Sequence, residues 1–159
     1  MDMIELNYSD TKGTLLDTTT WETKGIYVVV PGGLKGLRAG TRLKVGNYVT
    51  IYSSGIMDRV SLGAGVMVDE GAYVGEGSRI GKGCKLHYSS RVGRKTTLGA
   101  GVCIEEFAHV GDNVRIGDGS LIGEGSHISN GVVIGENIRI SEGVTIEAGA
   151  VIRMVSAVD

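Results

Sequence analysis

The sequence predicts an all-β fold, a parallel β-helix, from three periodic features. An aliphatic residue stands at every sixth position without a gap from Ile56 to Ile152. Two residues before each of these positions, from Val60 onward, the side chain is always small or β-branched. Three residues after most of them comes Gly or Asn, which tolerate a positive φ and mark a tight corner. Each six-residue unit is therefore a short strand and a turn, and three units close one triangular coil of 18 residues.

The periodicity also divides the chain into two segments. The regular repeat covers residues 56–155, and the register weakens upstream, where Ile51 and Ile56 are only five residues apart. We assign residues 35–159 to the β-helix, with 35–55 as an irregular first coil. Residues 1–34 carry no repeat and contain Trp21, Pro31 and the strand-like run "GIYVVVP". Because a solenoid exposes strand edges at its ends, we expect 1–34 to be an N-terminal β cap or attachment segment.

Composition excludes several classes of function. The 159 residues are enough for one domain. The net charge of −2 and the lack of a basic run argue against a nucleic-acid partner. No apolar run approaches the ~20 residues that span a bilayer, and the N-terminus lacks a signal pattern, so we expect a cytoplasmic protein without a membrane partner. Cys84 and Cys103 show no metal spacing, and the register points Cys84 inward and Cys103 outward, so no disulfide or metal site is expected.

One of the three corners departs from the repeat. The other two corners hold mostly glycine in the first position after each strand. Residues 18 apart lie roughly 4.8 Å apart in neighbouring coils, so His87 is expected between the carboxylates of Asp69 and Glu105. The polar residues of this corner and of the edge beside it are Asp69, His87, Tyr88, Arg91, Glu105, Glu106, His109 and His127.

The units "LGAGVM", "VGEGSR", "IGDGSL" and "IGEGSH" resemble the hexapeptide-repeat family over roughly residues 56–155. The resemblance implies a left-handed helix and an acyltransferase that uses acyl-CoA or acetyl-CoA as a substrate. It also implies a homotrimer with active sites in clefts between subunits, where a histidine acts as general base on a hydroxyl or amine of a small molecule or sugar. The units depart from the family pattern at Met57, His87, Ser129, Ile138, Ser141 and Arg153.

The resemblance assigns the catalytic base to His87, which directly follows Leu86 in "KLHYSS". Flanking carboxylates raise the basicity of an imidazole and fix its tautomer, so Asp69 or Glu105 would orient it and complete the catalytic group. The predicted substrate-binding residues are Tyr88, Arg91, Glu106, His109 and His127. The zinc-binding branch of the family has two histidines five apart in H-x-x-x-x-H, which this chain lacks, so no metal is expected.

A non-enzymatic alternative stays open. The repeats contain no inserted loop and no C-terminal helix follows them, which favours a structural trimer such as a fibre or phage-type appendage module. In that case residues 1–34 would be the attachment segment and His87 a solvated corner residue. Acyl-CoA separates the two hypotheses, because a ligand that binds only the native state raises the melting temperature.

We predict a homotrimer in solution. Met67, Cys103 and Leu121 form an outward apolar column on the face that borders the polar corner, and a neighbouring subunit would bury them. Light scattering after size exclusion at micromolar concentration measures the mass directly. A monomeric mass would contradict both the interface and a site shared between subunits.

Overall fold

The computed structural model describes residues 3–4, 28–29, 38–40, 42–46, 48–52 and 54–155. These residues form three β-sheets of eight, seven and seven short strands. They contain no helix, and so none that is long and apolar enough to cross a membrane. The all-β fold predicted from the sequence is confirmed.

The strands, numbered in chain order, fall into sheets A, B and C. Sheet A contains β1 (Met3–Ile4), β2 (Val28–Val29), β5 (Val49–Ile51), β8 (Met67–Val68), β11 (Lys85–Leu86), β14 (Cys103–Ile104), β17 (Leu121–Ile122) and β20 (Arg139–Ile140). Sheet B contains β4 (Lys44–Val45), β7 (Ser61–Leu62), β10 (Arg79–Ile80), β13 (Thr97–Leu98), β16 (Arg115–Ile116), β19 (Val133–Ile134) and β22 (Val151–Ile152). Sheet C contains β3 (Arg38–Ala39), β6 (Gly55–Ile56), β9 (Tyr73–Val74), β12 (Arg91–Val92), β15 (His109–Val110), β18 (His127–Ile128) and β21 (Thr145–Ile146).

The chain visits the sheets in the order A, C, B, so each coil contributes one strand to each sheet. Parallel pairs join residues 18 apart, as in Leu86 with Ile104 and Val92 with Val110. The first coil is one residue shorter, since β4 pairs with β7 and β5 with β8 at an offset of 17. Both the 18-residue coil and the irregular first coil agree with the sequence prediction.

The N-terminal segment is described only at its strands. β2 pairs in parallel with β5 and extends sheet A, and β1 pairs antiparallel with β2. Most of residues 1–34, including Trp21 and Pro31, lies outside the described residues. The cap or attachment role of this segment, and its boundary with the β-helix, therefore stay predictions.

The core is a column of aliphatic side chains along the axis. Leu86, Ile104 and Ile122 are fully buried, whereas the residue before each of them points outward. In the last coil Ile146 and Ile152 are only partly buried. Every sixth residue is aliphatic because that position faces the inside of a narrow prism, which leaves no room for water.

Inward hydroxyls bind the backbone of the next coil. Thr96 Oγ1 donates to the Gly111 carbonyl at 2.8 Å and accepts from the Val114 amide at 3.2 Å. Ser78, one coil before Thr96, makes the same pair of bonds, and so does Ser120 at the corner from sheet B to sheet A. The position two residues before each core aliphatic also points inward. It takes Ser or Thr as readily as Val or Ala, because a hydroxyl there satisfies buried backbone groups.

The thiol of Cys84 occupies an equivalent inward position. Its Sγ lies 2.9 Å from the Gly99 carbonyl, and burial raises the pKa of the Cys84 thiol to about 11. Cys103 is half-buried on the outward side, and both cysteines are free, in agreement with the expectation that they do not pair.

Glycine has two separate structural roles at the corners. In the first corner position the coils approach closely, so a Cβ on Gly117 would lie 2.6 Å from the Glu136 amide nitrogen. In the third position the backbone has a positive φ, which glycine adopts without strain. Among the described residues, the non-glycine residues at that third position are Arg42, Tyr48, Arg59, Ser89, Lys95, Phe107, Asn113 and Asn137.

We predict that Thr96→Val destabilises the fold by about 1–3 kcal/mol, because the Gly111 carbonyl and the Val114 amide lose their partner inside the core. Ser90→Ala is the matched control, since the buried Ser90 Oγ has no partner among the described residues. It should leave stability unchanged or slightly higher. Chemical denaturation of both variants measures the difference, and equal losses would contradict the role given to the hydroxyl bonds.

Candidate functional site

Two corners and one face carry the polar side chains of interest. The A–C corner comprises the turns that lead from sheet A to sheet C, at residues 69–72, 87–90, 105–108, 123–126 and 141–144. The C–B corner comprises the turns from sheet C to sheet B, at residues 57–60, 75–78, 93–96, 111–114 and 129–132. The outward side of sheet C between these corners is called the C face.

The A–C corner stacks Asp69, His87 and Glu105 in neighbouring coils, as the 18-residue register predicted. The Asp69 amide donates to the Leu86 carbonyl at 2.8 Å, and the His87 amide donates to the Ile104 carbonyl at 2.9 Å. These bonds place the three residues one above another immediately after β8, β11 and β14. His87 is half-buried in this stack.

The two carboxylates point to backbone amides in this structure. Asp69 Oδ1 accepts from the Glu70 amide at 2.7 Å, and Glu105 Oε2 accepts from the Glu124 amide at 3.1 Å. In residues 54–155, no side-chain hydrogen bond or ion pair joins the His87 imidazole to either carboxylate. The roles predicted for His87, Asp69 and Glu105 therefore stay predictions, and the sequence could show their stacking but not their hydrogen-bond partners.

An aromatic pair lies at the same corner. The rings of Tyr88 and Phe107 meet edge to face with centroids 5.6 Å apart, and both remain largely exposed, at 43% and 54%. Phe107 has a φ of 57°, a conformation unusual for a bulky side chain. It was absent from the predicted site residues, although a phenylalanine in a glycine position was the signal that could have found it. Glu106 is exposed beside this pair.

The C face presents a column of aromatic and cationic side chains. Tyr73, Arg91, His109 and His127 follow one another in register on β9, β12, β15 and β18. The Arg91 guanidinium lies over the Tyr73 ring, 5.6 Å from its centroid. The rings of His109 and His127 are nearly perpendicular, with centroids 4.8 Å apart. The predicted grouping of Arg91, His109 and His127 is thus present as a column.

His109 borders a cavity of about 280 Å³ between the C face and the C–B corner. The cavity is lined by Tyr73, Arg91, Val92, Gly93, Arg94, His109 and Asp112. Partial burial lowers the pKa of His109, and the nearby His127 and Arg91 lower it further, while Asp112 opposes them. The imidazole is therefore favoured in its neutral form, which can accept a proton.

A larger cavity of about 550 Å³ opens at the C–B corner itself. It is lined by Arg59, Glu76, Gly77, Arg94, Lys95, Asp112 and Asn113. Arg94 and Asp112 border both cavities, so the two adjoin. His87 lines neither of them.

The described ranges contain no group of three or more His, Cys, Asp or Glu side chains placed to hold a metal ion. The absence of a metal from the whole chain stays an expectation.

Residues 95–130 match the family model described as "Bacterial transferase hexapeptide (six repeats)". The matched segment contains His109 and His127 and begins after His87. The resemblance drawn from the six-residue units is thus confirmed over this segment. A search of curated proteins found no match.

Solved structures of similar fold include acetyltransferases. The acetyltransferase domain of PglB from Neisseria gonorrhoeae is 19% identical, with a TM-score of 0.51 over 79% of this chain and 51% of that chain. The same domain in complex with acetyl coenzyme A is 27% identical, with a TM-score of 0.49 over 64% and 55% of the two chains. The acyltransferase LpxA from Moraxella catarrhalis is 13% identical, with a TM-score of 0.44 over 76% and 66%.

The fold is the left-handed parallel β-helix that the resemblance implied. The chain spans about half the length of the two Neisseria chains.

We predict that His109 titrates below an ordinary histidine and that its neighbours set the difference. His127→Gln removes a group that becomes positive on protonation, so the pKa of His109 should rise. Asp112→Asn removes the opposing carboxylate, so the pKa should fall further. The folded protein takes up a proton at His109 less readily than the unfolded chain does. The contribution of His109 to the free energy of unfolding should therefore fall as the pH decreases through the range where an unfolded histidine takes up a proton.

NMR titration of the histidine ring protons measures these shifts. His87→Gln lies at the A–C corner and is the matched control, which should leave the His109 titration unchanged. A His109 titration that ignores both His127→Gln and Asp112→Asn would show that the charges of the C face do not reach its ring.

Proposed function

We propose that the protein transfers an acyl group from acyl-CoA or acetyl-CoA to a hydroxyl or amine of a small molecule, with His109 as the general base. The observation that carries the proposal is the position of His109: a neutral-favoured imidazole that lines a cavity beside two arginines. The family model supports it, because the residues that match a bacterial transferase repeat include this coil.

The reaction needs a proton acceptor and no redox partner. The neutral His109 imidazole would take the proton from the acceptor as its oxygen or nitrogen attacks the thioester carbonyl. The new bond to the acyl carbon forms, the C–S bond breaks, and the proton then passes from the imidazolium to the departing CoA thiolate. Arg91, directly below His109 in the column, would stabilise negative charge that develops on the carbonyl oxygen.

His87 is the competing base, since the resemblance assigns that role to it. It lies at the A–C corner, on the opposite edge of sheet C from the two cavities, and the carboxylates stacked around it are bonded to backbone amides. His109 has both a cavity and a lowered pKa, so the geometry favours it. Tyr88 and Glu106 would then contact substrate only where a bound molecule reaches the A–C corner.

The proposal includes a homotrimer with the A–C corner near a subunit boundary, whereas the His109 cavity lies at the opposite edge of sheet C. Met67, Cys103 and Leu121 are half-buried on sheet A, next to the exposed Tyr88 and Phe107 of the A–C corner. The exposed Lys85 lies between Met67 and Cys103 on this face. Packing the face against a neighbouring subunit would remove the apolar groups from water and bring the A–C corner into a cleft.

We predict that His109→Ala lowers kcat by about 10²–10⁴-fold, the loss expected for a general base, while acetyl-CoA still raises the melting temperature. His87→Ala is the matched comparison and should reduce turnover far less. Thiol release from acetyl-CoA with a panel of amino sugars and small alcohols measures turnover.

Two results would contradict the proposal in different ways. Large loss in His87→Ala with little loss in His109→Ala would move the base to the A–C corner. A wild-type protein that neither turns over nor gains thermal stability with acetyl-CoA would favour the structural trimer over the enzyme.

A further inference from the structure

The 550 Å³ cavity at the C–B corner is not needed by the base chemistry described above. Its walls come from four successive coils, which contribute Arg59, then Glu76 and Gly77, then Arg94 and Lys95, then Asp112 and Asn113. Two ion pairs cross it, Arg59 with Glu76 at 3.8 Å and Arg94 with Asp112 at 3.4 Å.

The backbone at this corner holds side chains where the repeat favours glycine. Arg59, Lys95 and Asn113 have φ values of 58°, 50° and 56°. The equivalent residue of the coil between the first two is Gly77, which adopts the same conformation without the steric cost that a Cβ brings. Long cationic side chains at such positions work against the local backbone preference, and strain of this kind concentrates at binding sites.

Gly77 keeps the floor of the cavity open. A Cβ built there would be 3.6 Å from Lys95 Cγ, so any longer side chain would fill the space between Arg59 and Lys95. Those two residues are two coils apart, roughly 10 Å along the axis. Their long side chains can therefore reach one group held over Gly77 from both sides.

The charges around the two adjoining cavities are unbalanced. Arg59, Arg91, Arg94 and Lys95 supply four positive charges, and Glu76 and Asp112 supply two negative ones. The local excess is two positive charges in a chain whose net charge is −2. Lys95 has no ion pair within residues 54–155, so its ammonium is available to a ligand. Concave surfaces of one sign attract the opposite charge more strongly than flat ones.

We propose that the C–B corner cavity binds a phosphoryl group. The guanidinium of Arg59 and the ammonium of Lys95 donate to its oxygens from opposite sides of Gly77, and Arg94 closes the side that faces His109. Guanidinium and ammonium groups are the side chains that bind phosphate oxygens best. This proposal can be tested independently of the proposed acyl transfer, because phosphate binding is measurable without turnover.

The test is titration of the full chain with inorganic pyrophosphate at low ionic strength, followed by calorimetry. Lys95→Met removes the charge and keeps a long side chain at the same φ, so binding should weaken by about 10-fold or more, the loss typical of a charge-assisted hydrogen bond. Lys82→Met, an exposed lysine at the corner from sheet B to sheet A, is the matched control and should bind as the wild type does. Equal binding by Lys95→Met and wild type, or equal weakening in both variants, would overturn the proposal.

A second variant separates binding from folding. Lys95→Gly restores the residue that the backbone prefers, so the melting temperature should rise while pyrophosphate binding weakens as it does in Lys95→Met. Asn137→Gly relieves the same backbone conformation away from the cavity and should raise the melting temperature without affecting binding. A Lys95→Gly variant that gains stability and still binds pyrophosphate as tightly would exclude Lys95 from the site.

Competition identifies the source of the phosphoryl group. Displacement of pyrophosphate by CoA, and much less by dephospho-CoA, would place a donor phosphate in the cavity. Displacement by glucosamine 6-phosphate but not by CoA would assign it to a phosphorylated acceptor. If neither competes at millimolar concentration, the cavity is not a phosphoryl site for a ligand of this protein.

Discussion

The backbone hydrogen bonds between successive coils are the constraint on which the rest of the structure depends. From Gly55 to Val133, each outward strand residue donates to a carbonyl 17 positions ahead, as Lys85 does to Val102 and Arg91 does to Ala108. Strands of only two residues are not stable alone, so every one of them relies on the coils above and below. Because these bonds fix the register, they also decide which side chains become neighbours on the surface.

That register explains why most of the fold was predictable from the sequence. The aliphatic residue at every sixth position must face inward, and the 17-residue first coil follows from the five-residue spacing between Ile51 and Ile56. Columns such as Tyr73, Arg91 and His109 follow from numbering alone. Numbering does not explain the glycine in the first corner position. Glycine is needed there because another coil approaches closely, and not because of the backbone angle.

The candidate site was predictable only in part, because side-chain partners depend on local competition. Asp69 and Glu105 lie above and below His87 as expected, yet their oxygens accept from the backbone amides of Glu70 and Glu124. The shape of the cavities at the C–B corner depends on whether the Arg59 and Arg94 side chains pair with carboxylates or extend into solvent. The sequence did show the underlying signal, since Lys95 and Phe107 both replace glycine.

The two repeat lengths of this molecule differ, and the difference limits how such a chain can change. Insertion or deletion of six residues preserves the packing of the interior, because every sixth side chain is aliphatic. The outward columns, in contrast, repeat only every 18 residues. Loss of 18 residues would remove one rung and leave each later column on its own face. Loss of six would preserve the packing and turn everything downstream by a third of a revolution, so that His127 would leave the column of Arg91. Variation in the length of coils can thus change which side chains are neighbours on the surface while the packing of the interior stays the same.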